Sequence, residues 1–93
     1  MKAQQRTETS LKSGLGAAIK RERSGLGISQ GELAERAGLH RTYVSDVERG
    51  TRNPSIQSVE KLARALRVSV AKLFQAAGNG DGMSRTGGRK ITG

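Results

Sequence analysis

The large apolar residues fall at helical intervals along most of the chain. Nowhere do they alternate for long with the period of two that marks a half-buried strand. Leu11, Leu15, Ile19 and Leu26 make one stripe on a first helix, closed by Gly25 and Gly27. Ser29-Gln30-Gly31-Glu32 reads as a capping box, in which the Ser29 hydroxyl accepts from the Glu32 N–H and the Glu32 carboxylate reaches back. Leu33, Ala34 and Ala37 follow on one face of a second helix, and Gly38 stops it. A third helix is predicted from about His40 to Arg49, with Val44 and Val47 turned inward and Gly50 just past its end. Pro54 and the candidate N-cap Ser55 restart the chain for a fourth helix carrying Ile56, Val59, Leu62, Ala63 and Leu66. Ser69 caps a short fifth helix with Val70, Leu73 and Phe74. The pattern predicts an all-α domain of five helices joined by short loops.

Composition narrows this picture. The chain has 93 residues, enough for one small domain. Residues 1–10 are polar and aperiodic, and residues 78–93 hold six of the 13 glycines with Arg85, Arg89 and Lys90 among them. Neither end carries the apolar surface that offsets ordering entropy, so both read as disordered tails around a folded domain at 11–77. There are no cysteines and one histidine, which excludes a disulfide framework, a thiolate zinc site and most metal or catalytic clusters. No nucleophile–base pair stands at a suggestive spacing, so the sequence does not read as an enzyme and implies no cofactor. No apolar run is long enough for a membrane span, and the N-terminus lacks a signal-peptide core, so a cytoplasmic protein is expected. The net charge is +9, of which +6 belongs to residues 11–77. Such a surplus points to an anionic polymer or surface as partner. With only Tyr43 and Phe74 as aromatics, a base-stacking platform for single strands is disfavoured.

The second and third predicted helices with the turn between them occupy Gln30 to Arg49. Ala34 is small where the following helix crosses, and Gly38 supplies the left-handed turn. Val44 and Val47 seat the third helix on the core and leave its opposite face free. This is a helix-turn-helix whose second helix can lie in a major groove. The run Gly27-Ile28-Ser29-Gln30-Gly31-Glu32-Leu33-Ala34-Glu35-Arg36-Ala37-Gly38 resembles the phage Cro and repressor (XRE) family of DNA-binding domains. So does Thr42-Tyr43-Val44-Ser45-Asp46-Val47-Glu48-Arg49-Gly50 followed by Arg52-Asn53-Pro54-Ser55. Arg41-Thr42-Tyr43 with Arg52-Asn53 is also similar to the controller proteins of restriction–modification systems, a subset of that family.

The resemblance implies a repressor-type fold over about 15–75 and a set of roles. Gln30 would bond a phosphate oxygen at the start of the second helix, where exposed N–H groups and the helix dipole already favour an anion. Arg41, Thr42, Ser45 and Asp46 face outward as base contacts: Arg41 can donate to guanine O6 and N7, and Thr42 can meet a thymine methyl. Asp46 either accepts from cytosine N4 or pairs with Arg49 or Arg41. Arg49, Arg52 and Asn53 are assigned to phosphates. Tyr43 is either a half-buried spacer or a phosphate contact. His40 is an irregular N-cap with no second ligand nearby for a metal. The family pairs an arginine of helix one with a glutamate near the end of helix three, which maps onto Arg23 and Glu48 as a structural ion pair. Gly14 and Gly16 weaken the first helix by about 1 kcal/mol each relative to Ala, and close helix packing is one reason to keep them.

The expected function is sequence-specific binding of double-stranded DNA as a transcriptional regulator. A homodimer through the last two helices would set two reading helices about one DNA turn apart. The alternative is an antitoxin or protein-interaction adaptor that retains the fold.

Overall fold

A computed structural model describes the backbone of residues 2–79 and the side chains of residues 12–78. Its five helices are α1 (Lys2–Leu26), α2 (Gln30–Ala37), α3 (Arg41–Glu48), α4 (Ile56–Leu66) and α5 (Val70–Asn79), with no strand among the described residues. The all-α, five-helix architecture read from the apolar periodicity is the one observed.

The caps explain why the helices begin and end where they do. Ser29 Oγ accepts from Glu32 N–H at 3.0 Å, Ser55 Oγ from Ser58 N–H at 3.1 Å, and Ser69 Oγ from Lys72 N–H at 3.0 Å. Each satisfies one of the N–H groups a helix start leaves unpaired. The capping box is only half formed, because the Glu32 carboxylate accepts from Arg36 at 2.8 Å instead of reaching back. α1 to α4 share one type of ending, in which a left-handed residue lets two N–H groups fold back onto the last turn. At α2 these are Gly38 N–H to Glu35 O and Leu39 N–H to Ala34 O. Gly27, Gly38 and Gly50 fill the left-handed position after α1, α2 and α3, but after α4 it is Arg67, with φ 64°.

One core holds the helices together. Leu15, Ala18 and Ile19 of α1 are buried against Leu33 and Ala34 of α2, Val44 and Val47 of α3, Val59, Leu62 and Leu66 of α4, and Leu73 and Ala77 of α5. α1 packs on α3, α4 and α5, while α2 packs on α3 and α4. Gly14 and Gly16 find their reason here. A Cβ on Gly14 would collide with the Ala77 carbonyl, and one on Gly16 with the carbonyls of Val47 and Glu48. The two glycines let α1 lie directly on the backbones of α5 and α3.

Besides the half-formed capping box, other expectations differ from what is observed. Residues 2–10, expected to belong to an irregular tail, continue α1 as helix. They contain no Gly or Pro, and adding turns to a helix already nucleated by packing costs far less than starting one. Leu26 and Ile56, assigned to core stripes, are exposed, at 43% and 68%. Leu26 is the last residue of α1 and Ile56 the first of α4, so the periodicity reaches them but the buried core does not. The expected 78–93 tail begins inside α5, and residues 80–93 lie outside the described residues, as does the side chain of Leu11. No helix among the described residues is long and apolar enough to cross a membrane.

Candidate nucleic-acid interface

α2, the turn at 38–40 and α3 form the helix-turn-helix. Ala34 is buried where α3 crosses, and Gly38 takes the turn with φ 70°. Val44 and Val47 pin α3 inward, which leaves Arg41, Thr42, Ser45 and Asp46 on its outer face. Gly50 N–H bonds Val47 O, and Thr51 donates to the Asp46 carbonyl through both its N–H at 3.0 Å and its hydroxyl at 3.1 Å, which fixes where α3 ends. Thr51 was not singled out from the sequence, although a hydroxyl just after Gly50 was a readable sign.

Six of the expected residues meet in one shallow depression of about 280 Å³, lined by Gln30, Arg41, Thr42, Ser45, Asp46 and Arg49. Gly31 has no side chain to fill the space beside Arg41, whose Cδ lies at ordinary contact distance from where a Cβ would stand. Gln30 does not stand free. Its Nε2 donates to Glu48 Oε1 at 2.9 Å, which leaves the second amide hydrogen for an outside acceptor. Asp46 and Arg49 form an ion pair across one turn, and Arg49 Nη1 donates to Ser45 Oγ at 3.3 Å. Arg49, expected on the DNA backbone beside Arg52, therefore turns back along α3.

Tyr43, Arg52 and Asn53 lie apart from the depression. The Arg52 guanidinium sits 4.9 Å from the centre of the Tyr43 ring, a cation–π contact. Tyr43 Oη accepts from Ser55 N–H at 3.4 Å, so its own proton stays available. Asn53 lines a separate groove of about 430 Å³ between α1, α4 and α5, with Lys12, Leu15, Pro54, Ile56, Val59 and Phe74.

Beneath the interface, Arg23 grips Glu48 with two bonds, Nε to Oε2 at 2.7 Å and Nη2 to Oε1 at 3.1 Å. Arg23 Nη1 also donates to the Ile28 carbonyl at 2.9 Å. The Glu48 side chain is 2% exposed and that of Arg23 14%. The hydrogen bond to Glu48 raises the Arg23 pKa above its ordinary value despite the opposing effect of burial, so Arg23 stays cationic at neutral pH. One network thus ties α1 to the end of α3 and to the first residue of α2.

Residues 19–73 match the helix-turn-helix family HTH_3. The chain belongs to that family. This XRE-type helix-turn-helix protein is 50% identical over 54 residues to the control protein C.BamHI of Bacillus amyloliquefaciens, a match covering 56% of this chain and 67% of that one. It is 47% identical over 61 residues to the HTH-type transcriptional regulator SinR of Bacillus subtilis, covering 64% of this chain but only 55% of SinR. Its fold is similar to the crystal structure of the restriction-modification controller protein C.AhdI from Aeromonas hydrophila. The TM-score is 0.65 at 41% identity, with 66% of this chain and 92% of that one covered. The family comprises transcription regulators, which are not enzymes.

Proposed function

We propose that this helix-turn-helix protein is a sequence-specific regulator that binds double-stranded DNA with α3 in the major groove. The outward depression on α3 carries the reading. It gathers two hydroxyls, two guanidiniums and one carboxylate from α3 and its C-cap with one amide from the start of α2, while Val44 and Val47 commit the opposite face of α3 to the core. Those are the groups that recognise base edges and phosphates, and an α-helix fits the major groove. Arg41 donates to guanine O6 and N7, while Thr42 and Ser45 meet neighbouring base edges. Gln30 spends its free amide hydrogen on a phosphate, with Tyr43, Arg52 and Asn53 on the flanking backbone.

The protein acts as a homodimer through α4 and α5. The exposed Ile56 and half-buried Phe74, on the groove between α1, α4 and α5, support that choice of surface. Two copies would read a near-palindromic site with half-sites about 34 Å apart. Regulation then follows from occupancy in the bacterial cytoplasm: covering a promoter represses, and touching polymerase beside it activates. A titration of duplex affinity against salt tests the reading. Six to ten phosphate contacts should lower affinity by about 10³–10⁵ between 50 and 200 mM salt. A flat response removes DNA from the proposal and favours the protein-adaptor alternative. Sedimentation of the free protein checks the dimer.

A further inference from the structure

Arg49 is the C-cap of α3 and keeps near-helical angles, φ −79° and ψ −7°. Its Cα–Cβ bond therefore tilts toward the start of α3, and the side chain runs back over the preceding turn. There Nη1 donates to Ser45 Oγ at 3.3 Å and Nη2 donates to Asp46 Oδ1. The guanidinium lies in the same depression as Arg41, Thr42 and Ser45. Arg52, by contrast, is stacked on Tyr43 outside it.

We infer that Asp46 is a positioning residue that aims Arg49 at a base edge, making Arg49 a second specificity-determining arginine beside Arg41. This deepens the reading of α3 as a major-groove helix and rests on it. A guanidinium has five N–H donors, and Asp46 and Ser45 take two of them. The remaining donors stay in a planar fork that matches guanine O6 and N7. The carboxylate sits deeper than the guanidinium, with side-chain exposures of 26% and 62%, so Arg49 is the outermost group of the pair. Holding a long side chain in place before DNA arrives reduces the entropy lost on binding. Charge points the same way. An arginine that anchors a phosphate gains from an uncancelled charge, whereas Asp46 cancels much of this one. Such a pair adds little to the attraction for DNA of any sequence and leaves hydrogen-bond geometry as its contribution.

The test is selection from a randomised duplex library with the full chain, comparing the unsubstituted protein with Arg49→Ala, Arg49→Lys, Asp46→Ala, Asp46→Asn and Arg41→Ala. Both side chains are partly solvent-facing, and Asp46→Asn keeps the shape at 46 should Asp46→Ala unfold. The expected result is that Arg49→Ala and both Asp46 variants lose preference at one shared base position, about tenfold or more for Arg49→Ala. Arg41→Ala should lose preference at a different position. Arg49→Lys should not restore the preference, because an ammonium lacks the fork. The Asp46 variants should also bind random DNA more tightly. Uniform weakening by Arg49→Ala, with every position's preference unchanged in the Asp46 variants, would overturn the inference and return Arg49 to a phosphate. If Arg41→Ala is position-specific in that experiment, α3 still reads the groove and only the role of Asp46 and Arg49 falls. If the unsubstituted protein selects no sequence at all, the major-groove reading falls and this inference with it.

Discussion

Replacing Arg23 by Ala tests whether the buried network is what joins α1 to the reading helix. The substitution removes both hydrogen bonds to Glu48, at 2.7 and 3.1 Å, and the donor to the Ile28 carbonyl. It leaves a carboxylate only 2% exposed with Gln30 as its one remaining hydrogen-bonding side chain among the described residues. Breaking one side of a buried pair in this way costs about 3–5 kcal/mol. A domain of this size has about 5–15 kcal/mol of stability in total, so the variant should be marginal. With about 4–8 °C lost per kcal/mol, the melting midpoint should fall by roughly 12–40 °C. Urea unfolding followed by far-ultraviolet circular dichroism gives the value, provided the denaturant slope is unchanged. The double replacement Arg23→Met with Glu48→Met removes both charges and should cost less than Arg23→Ala alone, because no charge is stranded. A loss below about 1 kcal/mol for Arg23→Ala, the range of solvated surface pairs, would refute the reasoning. So would a double replacement that costs the sum of its parts.

The remaining expectations concern backbone and caps, and urea or thermal melts check each. Gly16→Ala should destabilise by about 1–3 kcal/mol, since a Cβ there meets the Val47 and Glu48 carbonyls. Gly25→Ala, on the same helix with nothing within 4 Å, should stabilise by about 0.5–1 kcal/mol, and equal effects at the two sites would contradict the packing explanation. Arg67→Gly should leave stability unchanged or raise it by up to about 1 kcal/mol, because Arg67 holds a left-handed conformation that a Cβ resists. Ser55→Ala should cost about 1 kcal/mol through the lost cap on Ser58 N–H, and no change would mean water replaces the hydroxyl freely.

Local rules made much of this fold readable before any coordinates. Ser29, Ser55, Ser69 and Gly38 mark helix ends because a cap needs only a side chain and the next few residues. Val44 and Val47 gave the inward face of α3, and that fixed which residues had to look outward. What depends on distant partners was harder to see. Periodicity placed Leu26 and Ile56 in the core, but it does not record how far the core reaches toward the helix ends where they stand. The cost of Gly14 and Gly16 was visible and close helix packing was a possible reason, but not which backbones they clear, since those carbonyls belong to α5 and α3. The link from Gln30 to Glu48 spans 18 positions and changes how the amide can be used. At Asp46 the spacing offered both a base contact and a pair with Arg49, and only the folded arrangement shows the pair.

The most direct test of α3 as the reading helix is amide chemical-shift mapping of the labelled protein as duplex DNA is added. The largest changes should cluster at Gln30 and Gly31, along Arg41 to Asp46, and at Arg49, with smaller ones at Tyr43, Arg52 and Asn53 on its flank. Changes concentrated on α1 or α5, with the α3 amides unmoved at saturation, would contradict it.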